Sequence, residues 1–90
     1  MKNKQYVNGQ KTYEQVGDKL TYLFKDGKIK AEGVSINDVM QGEWKFYRES
    51  GQLWQVGNFK DNRKHGKWLR YDKQGNLEYE EIFENGKIKK

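Results

Sequence analysis

From Gly27 onward the glycines of this 90-residue chain fall at a repeating interval. The gaps run 6, 9, 9 and then 6, 9, 9, so Gly27, Gly51 and Gly75 stand 24 residues apart, as do Gly33 and Gly57, and Gly42 and Gly66. The large side chains keep the same step. Trp44 precedes Trp68 by 24 residues, Tyr47 precedes Tyr71, Phe59 precedes Phe83, and Ile29, Leu53 and Leu77 follow one another. A fixed period of roughly 20–50 residues marks a chain built from one supersecondary unit that buries its apolar face only by stacking on its neighbours.

Each unit reads as two short strands. Between turns the segments are rich in aromatic and branched residues, as in Gly66-Lys67-Trp68-Leu69-Arg70-Tyr71 and Leu77 to Phe83. The turns at Asp26-Gly27, Ser50-Gly51 and Gln74-Gly75 place glycine where a tight turn requires positive φ. Asn8-Gly9 and Asn85-Gly86 are short hairpin signals, and Asn37-Asp38 and Asp61-Asn62 fill the equivalent slot in earlier units. No window carries the i, i+3, i+4, i+7 stripe of an amphipathic helix. The expectation is therefore an all-β fold: an antiparallel meander of about seven strands, made from 24-residue hairpin repeats in a single twisted sheet.

Residues 1–90 read as a single domain, with about three repeats over residues 17–90. Before Gly27 the pattern weakens. Leu20 stands where tryptophan is expected, and residues 1–16 read as an atypical N-terminal cap with a hairpin through Asn8-Gly9. At the other end Lys87, Lys89 and Lys90 lie near an edge strand, where lysines discourage edge-to-edge association.

Composition narrows the function classes. The chain has no cysteine and no proline, so it has no disulfide framework and no thiolate chemistry. No run of 18 apolar residues exists, and Met1 to Tyr6 lacks the apolar core of a signal peptide, which gives a cytoplasmic expectation. Only 33% of residues are apolar while 14% are aromatic, which suits a thin sheet covered by rings. The net charge of +5 favours acidic partners at long range.

Catalysis is not expected. His65 is the one histidine, and without cysteine no Cys–His pair exists. One histidine with carboxylates makes an atypical zinc site, and no G-x-G-x-x-G or Walker loop is present. Glu80 and Glu81 are adjacent strand residues that point to opposite faces. Neither a metal nor a cofactor is implied.

Binding candidates come from comparing the units. Strict alternation along Leu53–Phe59 puts Leu53, Gln55, Gly57 and Phe59 on one face, and Trp54, Val56 and Asn58 on the other. Trp54 and Val56 stand where the first unit has Lys30 and Glu32 and the third has Glu78 and Glu80. Two readings of Trp54 stay open: packing on a cross-strand ring such as Trp44 or Trp68, or anchoring a partner. Lys60, Arg63, Lys64, His65, Lys67 and Arg70 form a second group about one hairpin turn, read either as a solvated turn or as a surface for an acidic receptor.

The stretch from Tyr47 through Gly51, Leu53, Gly57 and Phe59 to Gly66 and Trp68 resembles a MORN repeat, in the bacterial variant found in MORN-type antitoxin proteins. The resemblance spans about residues 17–90 and is strongest from 42 to 86. The first unit departs from it, with Ser35 in place of the Phe and Val39-Met40 entering the turn. It implies an elongated twisted sheet of hairpins and a non-catalytic module that binds a protein or a membrane. The leading expectation is a protein-binding module that inhibits a toxin or effector by occlusion, with Trp54, Val56, Arg63, Lys64, His65, Lys67 and Arg70 as partner-binding residues. The alternative is a membrane-surface module that binds anionic phospholipid through the basic hairpin turn. Nucleic acid ranks third, and a structural or homodimerising sheet is a further reading.

Overall fold

In the computed structural model, which describes residues 5–7 and 9–89, the chain forms one open antiparallel sheet. Its strands are β1 (Tyr13–Val16), β2 (Lys19–Leu23), β3 (Ile29–Ile36), β4 (Val39–Tyr47), β5 (Leu53–Lys60), β6 (Arg63–Lys64), β7 (Gly66–Tyr71), β8 (Leu77–Glu84) and β9 (Lys87–Ile88). The order across the sheet follows the chain from β1 to β5, then β7, β8 and β9, with β6 also pairing with β5. The expected meander of about seven strands is present, and the two-residue ladders β6 and β9 bring the number to nine among the described residues. Principal extents of 44 × 34 × 19 Å fit a single layer.

The turns repeat as hydrogen bonds, not only as letters. At Gly27 the Phe24 N–H donates to the Lys28 carbonyl at 2.8 Å, and the Gly27 N–H donates to the Phe24 carbonyl at 2.9 Å. The same pair of bonds closes the turns Arg48–Gln52 and Asp72–Asn76, where Gly51 and Gly75 have φ of 93° and 86°. Tyr6–Gln10 is closed in the same way, although Asn8 of the expected cap hairpin lies outside the described residues. Lys90 of the expected lysine edge also lies outside them. The alternate turns place two successive residues at positive φ: Asn37 and Asp38, Asp61 and Asn62, Asn85 and Gly86. That is the conformation whose twist matches two antiparallel strands, and Asn, Asp and Gly tolerate it best.

Two irregularities recur with the period. In the first, Lys30, Trp54 and Glu78 are each skipped by the ladder to the preceding strand, because Leu23 pairs with Ile29, Tyr47 with Leu53 and Tyr71 with Leu77. In the second, Gly33 pairs with Trp44 but Val34 pairs with Gln41, a jump of two residues that leaves Gly42 and Glu43 outside that ladder. The same jump, one repeat later, separates β6 from β7. Bulges of this kind twist a strand and redirect its side chains.

The core is a row of alternating large and small residues across one face. Leu20, Gly33, Trp44 and Gly57 are successive cross-strand partners, and Trp68, whose indole lies against Gly57, is in turn the partner of Glu81. Each indole lies over the glycine of the preceding strand: a Cβ on Gly33 would overlap Trp44, and one on Gly57 would overlap Trp68. Trp44 is fully buried and Trp68 is 2% exposed. Their indole N–H groups donate to the carbonyls of Val34 and Asn58, each at 2.9 Å, so neither polar edge is left unsatisfied. Phe59 stands edge-on between the two indoles, with ring centroids 6.1 Å and 5.1 Å away, and Phe83 continues the series beyond Trp68. Ser35 occupies the Phe59 slot of the first unit and is buried.

Candidate binding site

The seven residues singled out in the sequence do not form one patch. Lys64 is brought onto the ring face by its pairing with Phe59, and its ammonium lies 4.6 Å from the Trp68 ring centroid and 4.9 Å from that of Phe83. Lys67 pairs with Ile82 on the opposite face and makes an ion pair with Glu80 at 3.2 Å. Arg63 is exposed at the end of the β5–β6 hairpin, opposite Lys60. His65 is half-buried where β6 gives way to β7, and its Nδ1 is buried without a hydrogen-bond partner. The two-residue jump at this point divides the basic group between faces, so the single cluster expected about the turn is not what the fold produces.

Val56 lies on the face opposite the indoles, between Lys45 of β4 and Leu69 of β7. One unit earlier the equivalent pair is Glu32 and Lys45. The middle of this face is therefore apolar, while its β2–β4 end is polar and tightly bonded. There the Tyr47 hydroxyl donates to Glu32 at 2.6 Å, and Lys19 approaches the same carboxylate at 3.1 Å. The Tyr47 hydrogen bond, aided by Lys19, holds the Glu32 carboxyl below the usual range. Burial, reinforced by the Glu32 bond and charge, pushes the Tyr47 phenol up to about 12.

Trp54 departs from simple alternation. It sits at the repeated bulge, and its half-buried ring lies near Arg70, the residue directly opposite Gln55. The Arg70 guanidinium is 5.9 Å from the Trp54 ring centroid and 4.8 Å from that of Tyr79, its partner on β8. Arg48 approaches the Trp54 ring at 5.8 Å and donates to the Tyr71 carbonyl at 3.0 Å. The contacts described at Trp54 are thus with cations, whereas Trp44 and Trp68 pack on other aromatic rings and Trp68 takes Lys64 in addition. Both arginines are half-buried, and the Nε atoms of both are buried without an acceptor.

Arg48 and Tyr79 were not among the residues expected to bind. The signal that finds Arg48 is the period itself. Arg48 stands where neighbouring units have Phe24 and Asp72, and Arg70 stands where earlier units have Tyr22 and Phe46. Trp54 stands where they have Lys30 and Glu78. Three departures from the repeat therefore converge about one ring. Tryptophan, arginine and tyrosine are also the residue types that dominate binding energy at protein interfaces.

Residues 40–61 and residues 64–85 each match the family model of the MORN repeat variant. Two units of this sheet are thus similar to MORN repeats. The matched stretches run from the start of β4 through β5 and from β6 through β8, so they contain both arginines, Trp54 and Tyr79. MORN repeats generally mediate binding to proteins or to membrane phospholipids, which makes this chain a candidate binding module of that kind. No curated protein and no solved structure gave a significant match. Among the described residues no group of three His, Cys, Asp or Glu side chains is placed to hold a metal ion.

Proposed function

We propose that this chain is a non-catalytic protein-binding module that acts by covering a surface of its partner, in the manner of an antitoxin or inhibitor of an effector. The observation that carries the binding reading is the convergence of Arg48, Trp54, Arg70 and Tyr79 at one place on a rigid sheet. A ring held between half-buried guanidiniums offers large contact area and directional donors at small further cost in side-chain entropy. The inhibitory role rests on the sequence resemblance of residues 42–86. Affinity purification from the host, with the partner identified by mass spectrometry, tests the proposal. Trp54→Ala and Arg70→Ala are each expected to cost about 2 kcal/mol or more in partner affinity. Undiminished co-purification by the folded double variant refutes this placement of the site.

A second reading has one observation in its favour. Arg63, Lys87 and Lys89 line one shallow depression together with the exposed Ile88, a basic rim suited to anionic lipid headgroups. The depression also contains Glu84, which stands 3.9 Å from Lys89 and offsets part of that charge. Flotation with phosphatidylserine vesicles tests it. Binding that falls steeply with salt supports the lipid reading, and no flotation at low salt removes it.

A further inference from the structure

Resting on the protein-binding reading, we infer that the Arg48–Trp54–Arg70 cluster receives a carboxylate side chain from an acidic segment of the partner. Two guanidiniums share one indole ring, and each lies within 6 Å of its centroid. Half-buried cations gathered about one ring normally have a counter-charge nearby. Among the described residues, however, neither arginine has an ion pair, and the four ion pairs found there all use lysine. The one described hydrogen bond from the pair, Arg48 to the Tyr71 carbonyl, leaves most of the ten guanidinium N–H groups free to donate. The fork of a guanidinium matches the two oxygens of a carboxylate, and stacking on Trp54 and Tyr79 fixes its orientation before the ligand arrives.

The surroundings select a peptide carboxylate over a polyanion. Glu49 follows Arg48, Asp72 lies two residues beyond Arg70, and on the neighbouring strand Glu78 and Glu80 flank Tyr79, with Glu81 next after them. A phosphate-dense membrane or nucleic acid would meet these carboxylates together with the arginines. A single Asp or Glu side chain reaches the guanidiniums without that repulsion. Beyond Arg48 the surface continues as a shallow hollow lined by Glu49, Ser50, Gln52 and Lys73, which offers polar groups and a further cation, offset by the Glu49 carboxylate, to the chain on either side of the docked residue.

The test uses the whole chain with a terminally blocked pentapeptide, one glutamate between pairs of glycines, as probe, followed by the NMR signals of the Arg48 and Arg70 Nε–H groups and the Trp54 indole N–H. The glutamate peptide is expected to shift all three while leaving the Trp44 and Trp68 indole signals in place. The same peptide with glutamine in place of glutamate, and phosphatidylserine vesicles, are expected to leave the three unmoved. Arg70→Lys keeps the charge but loses the fork, and is expected to weaken binding of the glutamate peptide by about tenfold. No shift with the glutamate peptide, equal shifts with the glutamine peptide, equal shifts with vesicles, or full binding by Arg70→Lys would each overturn the assignment. The two levels of inference fail separately. If Trp54→Ala abolishes partner capture while the glutamate peptide shifts nothing, the acidic ligand is wrong and the binding surface stands. If partner capture survives Trp54→Ala and Arg70→Ala, the surface itself is wrong.

Discussion

The indole of Trp68 occupies the space that a side chain on Gly57 would need, and its N–H donates to the carbonyl of Asn58, the next residue along the same strand, at 2.9 Å. The relationship is copied 24 residues earlier by Trp44, Gly33 and Val34. Gly57→Ala drives a methyl group into the indole. Because the overlap is with a rigid ring wedged between Phe59 and Phe83, relief requires the whole ladder to shift. The expected loss is about 3 kcal/mol, measured as a lower urea midpoint at unchanged m-value. Adding Trp68→Leu to Gly57→Ala should cost less than the sum of the two single changes, since the smaller side chain clears the methyl.

Trp54 and Trp68 separate binding from stability. Trp68→Ala empties a buried site and is expected to cost about 3–5 kcal/mol. Trp54 is half-buried beside cations, so Trp54→Ala should cost the fold less than about 2 kcal/mol while removing partner capture. Equilibrium unfolding of both variants, beside a capture assay on the folded Trp54 variant, checks the contrast.

Glu32 and Tyr47 give the stability a pH dependence at both extremes. The folded protein holds the Tyr47 proton more tightly than the unfolded chain, whose phenol titrates near 10, so this contribution is complete below pH 10 and lost as pH rises through about 12. Glu32 runs the other way. Its folded carboxyl lies below the ordinary 4.5, so its contribution is complete above that value and lost as pH falls through the folded one. Tyr47→Phe should flatten the alkaline loss and move the Glu32 carboxyl up toward its ordinary value. Unfolding midpoints across the alkaline range and a carboxyl-carbon NMR titration of Glu32 report the two effects.

Asn62 combines a left-handed backbone, φ 69°, with a side-chain oxygen that accepts from the Met40 N–H at 2.7 Å. Asn62→Ala loses the bond and strains the turn, for an expected loss of about 2–3 kcal/mol. Asn62→Gly loses the bond but relieves the strain, so its loss should be about 1 kcal/mol. Thermal melts of the two variants separate the contributions. Equal losses would show that backbone strain contributes nothing at this turn.

The repeat made the architecture legible because turn chemistry and ring spacing are local properties. Asn37-Asp38, Asp61-Asn62 and Gly27, Gly51 and Gly75 announce their turns in the residues themselves. The glycines looked alike as letters but do two different things. Gly51 turns the chain at φ 93°, whereas Gly57 is a strand residue that leaves room for an indole on the next strand. The site was less legible because alternation counts residues without seeing bulges. The ladder skips Trp54, and the jump before β7 sends Lys64 and Lys67 to opposite faces. Arg48 was within reach of the sequence, since comparing it with Phe24 and Asp72 needs only the period.

Glu81 stands one period after Gly57, directly opposite Trp68, where the two earlier units have glycine. An engineer lengthening this protein by appending copies of the 24-residue module would place the next indole against that glutamate. The side chain would obstruct the ring much as alanine at Gly57 obstructs Trp68, with a charge added. Copies joined after β8 should therefore dock poorly unless Glu81→Gly is introduced first. A single carboxylate thus acts as a stop mark in an otherwise extendable structural alphabet, and erasing it is the first step toward a longer array.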